Sequence, residues 1–138
     1  MSIEREVSYG GVVVRGGDVL VITPAGKPGV SALPKGGADA AESGEATAVR
    51  EVREETGVNA VVRGDLGAVR YWYRRGGRRI FKTVRFYLCE FVSGDIADHD
   101  HEVEDARWIP LDRARTELSY PGERQMIERA LSKRPPDQ

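Results

Sequence analysis

Glu51, Glu54 and Glu55 stand in the run Arg50-Glu51-Val52-Arg53-Glu54-Glu55, whose composition predicts a helix. An α-helix turns about 100° per residue, so positions i, i+3 and i+4 share one arc. Like charges at those spacings repel and cost a helix a few tenths of a kcal/mol per pair. Three carboxylates on one stripe therefore point to a cation held between them. A hard divalent ion fits best, because Mg²⁺ takes carboxylates and substrate phosphates together. Cleavage of a pyrophosphate is chemistry of that kind: the anion must be neutralised and a water activated, and metal ions do both. The plainer alternative is a solvated helix face with i,i+4 ion pairs such as Arg50 with Glu54.

Two further groups of residues bear on chemistry. The stretch from Ser93 to Glu104 reads as an acidic loop, and Asp98, Asp100, Glu102, Glu104 and Asp105 are its candidates for an additional carboxylate ligand. His99 and His101 lie among them, yet no cysteine or third histidine completes a zinc set there. The second group is basic. Arg70, Arg74, Arg75, Arg78, Arg79, Lys82 and Arg85 fall in one predicted hairpin with no acidic residue among them. Such a block suits an anionic ligand, or serves as a solvated hairpin whose charges discourage edge pairing. Strand alternation puts Lys82 in line with Val84, Phe86 and Leu88, where a core-facing row runs out. Tyr71, Trp72 and Tyr73 could stack a base, although alternation sends about half of them to the other face.

The elements that must position these groups are legible in outline. Val12-Val13-Val14 and Val19-Leu20-Val21-Ile22 flank a Gly-Gly turn and predict a hairpin. Thr23 to Val30 carries Pro24, Gly26, Pro28 and Gly29 and reads as a loop. Ser43 is a helix cap, Glu45 favours the first turn, and Gly57 supplies the stop. Ala48, Val49, Val52 and Thr56 lie opposite the carboxylates and should face a sheet. A strand from Asn59 to Tyr73, interrupted by Gly64 and Gly67, turns at Arg75-Gly76-Gly77-Arg78 and returns from Arg79 to Phe91. Ala106 to Ile109 is a short strand ended by Pro110, Asp112 opens a short helix, and Met126, Ile127, Ala130 and Leu131 stripe a last one. Strands, a helix, more strands and closing helices predict an α/β sandwich.

A chain of 138 residues argues for one domain, set at residues 1–134 with a frayed proline-rich tail at 135–138. A formal net charge of −1 gives no overall nucleic-acid signature. A single cysteine, Cys89, excludes an internal disulfide and fits a reducing compartment; its apolar strand predicts core packing. No apolar run approaches the roughly 20 residues that span a bilayer, and Met1 to Glu6 has no signal-like segment. The expectation is a cytoplasmic protein, monomer or homodimer, with neither a membrane nor a stable nucleic-acid partner.

Gly36, Glu42, Arg50, Glu51, Val52, Glu54, Glu55, Gly57 and Val58 fill every specified position of a pattern that resembles the Nudix box. Ala32-Leu33-Pro34-Lys35 before it, and Glu102 upstream of Trp108 after it, are similar to the family as well. The resemblance implies a Nudix-type α/β/α sandwich with a mixed sheet between helices. It implies a pyrophosphohydrolase that cleaves nucleoside diphosphate-linked compounds with Mg²⁺ or Mn²⁺. Glu54 and Glu55 would be metal ligands, Glu51 a ligand or the base for the attacking water, Arg50 the residue that orients Glu51, and Glu42 an outer support. A backbone carbonyl at Lys35 or Gly36 would complete the metal set, with Glu102 as the further carboxylate. Lys82 to Leu88 resembles members acting on dinucleoside polyphosphates or diphosphoinositol polyphosphates. Lys35, Arg70, Lys82 and Tyr87 are accordingly the expected substrate contacts, and dinucleoside polyphosphates the expected substrates. The alternatives are nucleoside triphosphates, oxidised ones included, ADP-ribose, diphosphoinositol polyphosphates, and a nucleotide-sensing binding protein without activity.

Overall fold

In a computed structural model, residues 3–133 are described, so the tail assigned to residues 135–138 lies outside them. β1 (Ile3–Arg15) and β2 (Asp18–Pro24) form the first hairpin. β3 (Lys35–Gly37) precedes α1 (Gly44–Thr56). β4 (Val58–Arg75) and β5 (Arg78–Gly94) form a long second hairpin. A 3₁₀ turn (Ile96–Asp98) leads to β6 (Val103–Pro110), α2 (Leu111–Glu117) and α3 (Pro121–Lys133). The strands join in one sheet of order β4-β5-β1-β2-β6, with β3 on the β1 edge beside β2. β1 runs parallel to β5 and every other pairing is antiparallel, which makes the sheet mixed.

Alternation along β1 and β5 divides the core in two. Val12, Val84 and Phe86 pack towards α2 and α3 with Leu118, Met126, Ile127 and Ala130. Val13, Tyr87 and Cys89 pack on the opposite face against Ala48 and Val52 of α1. Within α1 the buried positions are Thr47, Ala48, Val52 and Thr56. Val49, expected to face the sheet, is half-buried, and Thr47 takes the inward place because its hydroxyl is satisfied by Glu42 and by the Ser43 carbonyl.

The turns follow their residues. Gly76 and Gly77 both have positive φ, 57° and 76°, as a two-residue hairpin loop of matching twist requires. β4 does not break at its internal glycines; register shifts near Gly64 and Gly67 absorb them as bulges. Asp112 lies inside α2 and does not cap it, since Pro110 holds the cap position without a side-chain bond. Lys35-Gly36-Gly37 has no strand propensity of its own, and β3 is held by its register on Ser8, Tyr9 and Gly10.

Candidate active site

α1 is well specified locally. The Ser43 hydroxyl accepts the Ala46 N–H at 3.1 Å, and Gly57 ends the helix in the left-handed region at φ 80°. Arg50 projects from the middle of the helix and gathers the acidic residues. Its Nε donates to Glu42 at 2.9 Å, its Nη1 reaches Glu54 at 3.0 Å and Glu51 at 3.4 Å, and its Nη2 donates to the Gly37 carbonyl at 2.9 Å. One guanidinium thereby ties the helix to β3 and to the loop between them. Glu42 also accepts the Asp39 N–H at 3.0 Å and the Thr47 hydroxyl at 2.9 Å. These bonds, the Arg50 bond foremost, pull its pKa down to about 2.

The next carboxylates along the helix are less well served. The Glu51 pKa is raised, first by burial and then by the charges of Glu54 and Glu102, against the pull of Arg50. Glu55 is pushed up to about 8 by burial, with Glu51 and Asp100 adding to the rise. The Lys35 N–H donates to Glu55 at 3.1 Å. Gly36 comes so close to Glu51 that a Cβ there would collide with its carboxylate unless the Glu51 side chain moved aside. The Gly36 position thus lies against the acidic stripe, with the Lys35 backbone beside it.

Among the loop candidates, Glu102 lies within electrostatic reach of Glu51, and Asp100 within that of Glu55. Asp100 also accepts the Glu102 N–H at 3.0 Å, so the two are held in one turn. Glu104 is exposed on β6, Asp105 pairs with Arg107 at 3.0 Å, and Asp98 packs by Gly57. The His99 Nδ1 lies 3.0 Å from the Asp100 carbonyl, and His101 is exposed.

On the α3 side of the sheet, Lys82 lies opposite Tyr71 and Glu6 in register. Its ammonium sits 3.3 Å from Glu6, which also accepts the Tyr73 hydroxyl at 2.6 Å and pairs with Arg75. Glu4 pairs with Arg78. The hairpin cations of this face are therefore matched by acids of β1, which its own sequence does not contain. Tyr71 lies within electrostatic reach of Lys35, Glu123, Tyr120 and Glu6, and burial raises its pKa. The Lys35 ammonium stands 6.0 Å from the centre of the Tyr120 ring. Lys35, Tyr71, Tyr120 and Lys82 thus lie in one neighbourhood on this side of the sheet. Arg70 and Tyr87 are not brought to it: Arg70 points to the other face of the sheet, and Tyr87 is buried beneath α1.

Glu123 gave no signal in the sequence, where an acid in a helix's first turn reads as solvated. It is 5% exposed. It accepts the Leu33 N–H at 2.8 Å and faces the Lys35 ammonium at 3.6 Å. Burial raises its pKa against the Lys35 charge. It pins the Leu33–Lys35 segment whose next backbone N–H reaches Glu55.

Among the described residues, no three His, Cys, Asp or Glu side chains are gathered in ligating geometry. Glu42, Glu51 and Glu54 are instead paired with Arg50. The donor set nonetheless fits a hard divalent cation. The Glu51 and Glu55 carboxylates supply hard oxygen ligands, Gly36 sets no side chain of its own against Glu51, and Glu55 is a half-buried acid that accepts the Lys35 N–H.

A mixed sheet between one helix and a helical pair, with carboxylates on the single helix set against a glycine strand, defines a Nudix-type α/β/α sandwich. The NUDIX domain family matches residues 4–130, and the chain belongs to the Nudix hydrolase family. It is 37% identical over 137 residues to a Mycobacterium tuberculosis protein named MutT4, covering 93% of this chain and 55% of that protein. It is 37% identical over 105 residues to an 8-oxo-(d)GTP phosphatase of Mycolicibacterium smegmatis, covering 76% of this chain and 31% of the relative. The chain thus spans about half or less of these relatives' length. A NUDIX hydrolase from Nitrosomonas europaea superposes with a TM-score of 0.74 at 21% identity, covering 94% of this chain and 90% of that one.

Proposed function

We propose that this chain is a divalent-metal-dependent pyrophosphohydrolase of nucleoside triphosphates, releasing a nucleoside monophosphate and pyrophosphate. The observation that carries the reading is the half-buried Glu55, one helical turn from Glu51, with Gly36 packed directly against the Glu51 carboxylate and the Lys35 N–H on Glu55. Glu54, Glu55 and Glu51, with the Gly36 carbonyl and Glu102, would hold Mg²⁺ or Mn²⁺. A bound cation would neutralise the pyrophosphate and lower the pKa of an attacking water. Glu51, raised by burial, is suited to take a proton from that water. Arg50 holds Glu51 and Glu54 in place, and Glu42 holds Arg50. Lys35 offers its charge to the substrate phosphates, and Tyr71 and Tyr120 offer rings to a base. The relative named an 8-oxo-(d)GTP phosphatase supports a triphosphate.

Dinucleoside polyphosphates, the substrates expected from the sequence, are the second reading, favoured by Lys82 in the row of Tyr71. The Glu6 partner of Lys82 weakens it, because a neutralised ammonium selects poorly for a longer anion. A hydrolysis screen over nucleoside triphosphates, dinucleoside polyphosphates and ADP-ribose, with Mg²⁺ and with Mn²⁺, tests the proposal. The expected ranking puts kcat/KM for triphosphates first. A preference for bridges of four or more phosphates that Lys82→Ala abolishes would install the second reading. No turnover of any of them would leave only a binding role.

A further inference from the structure

The outer part of the sheet has a face that no helix covers. α1 ends its cover at Gly44, which packs on the Tyr9 ring and the Tyr87 hydroxyl. Beyond it, register sets Arg5, Phe81 and Trp72 side by side across β1, β5 and β4, with Arg79 and Arg74 in the next row and Arg70 in the row before. Trp72 is 48% exposed. Its ring meets Phe81 at 4.8 Å, and the Arg79 guanidinium stands 4.5 Å from its centre. An open cleft of about 410 Å³ is lined by Trp72, Tyr73, Arg74 and Arg79.

The charge on the outer rows of this face is one-sided, while farther in Arg85 pairs with Asp65. Among the described residues, no carboxylate forms an ion pair with Arg5, Arg70, Arg74 or Arg79, whereas Arg75 and Arg78 on the opposite face pair with Glu6 and Glu4. Strand alternation has sorted the acids of β1 to one side. The net charge of −1 conceals this, since it averages over both faces.

We propose that this face binds single-stranded nucleic acid, with a base stacked on Trp72 and the phosphates held by Arg5, Arg70, Arg74 and Arg79. Rings interleaved with cations are what alternating bases and phosphates need, and stacking tolerates any base. A second copy would set arginines against arginines. A membrane surface is disfavoured by the apex, Arg75-Gly76-Gly77-Arg78, which carries no apolar side chain to insert. The proposal uses none of the α1 carboxylates and stands apart from the hydrolase reading.

Fluorescence anisotropy of labelled single-stranded dodecanucleotides, RNA and DNA, tests it on the full chain. Binding should weaken roughly 50-fold between 50 and 200 mM salt if about four phosphates are contacted. Trp72→Ala should weaken it ~10-fold while Trp72→Phe retains most of it. Arg74→Ser should weaken it and flatten the salt slope by about one contact. Glu54→Gln should leave it unchanged. Circular dichroism establishes that each variant is folded, and Trp72→Phe and Arg74→Ser keep the test open if Trp72→Ala is not. A preference for either RNA or DNA, or none, supports the proposal. It is overturned if neither strand binds, if duplex binds as tightly as single strand, if inorganic polyphosphate competes as well as an oligonucleotide of equal charge, or if vesicles of anionic lipid bind while oligonucleotides do not.

Discussion

Along α1, one guanidinium serves Glu42, Glu51 and Glu54, and Glu55 is left to a backbone N–H. Along the arm of β4 and β5 the imbalance runs the other way. Arg75, Arg78 and Lys82 find acids on one face, and among the described residues Arg70, Arg74 and Arg79, with Arg5 of the neighbouring β1, find none on the other. The difference between the two regions lies in burial. At α1 Glu51 and Glu55 are half-buried beside β3, where like charges repel more strongly than in water. On the arm the uncompensated charges are exposed arginines, screened by water and salt, which attract an anion without needing one for the fold. The first imbalance is suited to catalysis, the second to docking.

The comparison breaks most readily at Glu54. Glu54→Gln should preserve the Tm within a degree or two and cut kcat by several orders of magnitude, as loss of transition-state electrostatics does. Retained activity, measured in the steady state with saturating Mg²⁺, would mean that the acidic stripe is only a solvated helix face. Arg50→Lys comes next. Lysine keeps the charge but cannot fork between Glu42, Glu51 and Glu54, so kcat should fall ~10²-fold with KM little changed. Equal loss in KM would assign Arg50 to substrate instead.

Burial at Glu55 also sets a pH dependence. Its folded pKa, about 8, lies above the unfolded value of 4.5. Its contribution to stability is therefore fully present below pH 4.5 and is lost as pH rises through about 8. Metal-free protein should lose ~5–10 °C in Tm over that interval beyond what Glu55→Gln loses, as followed by calorimetry. A parallel pH profile for Glu55→Gln would show that Glu55 is not the responsible acid. The smallest effect separates the loop carboxylates. Glu102→Gln and Asp100→Asn should raise the Mg²⁺ requirement ~3–10-fold, and Glu104→Gln should not. The reverse order, in an Mg²⁺ titration of the rate, would give the role to Glu104.

Local features were legible in the sequence. The Ser43 cap, the Gly57 stop, the Gly76-Gly77 turn and the amphipathic stripe of α3 each follow from a few neighbouring residues. Features that depend on distant chain were not. Glu6 neutralises Lys82 because β1 lies parallel to β5, a pairing that no local pattern announces. Alternation left open which of Tyr71, Trp72 and Tyr73 shares the face of Lys82; register assigns Tyr71 and Tyr73 to it. Glu123 is buried through contacts with Leu33 and Lys35, about ninety positions away in the chain, and nothing in its own helix marks it. The NUDIX match over residues 4–130 accounts for the fold class read from the box, while β3 and the bulges of β4 required the register itself.

The most direct test of the central claim is metal binding by the protein without substrate. Isothermal titration of Mn²⁺ into wild type and into Glu55→Gln, at pH 7 and low salt, reads it. The wild type should bind Mn²⁺ with a measurable heat, and Glu55→Gln should bind at least ~10-fold more weakly. Equal binding by the two proteins, or none by the wild type, would contradict the account of the acidic stripe as a metal site.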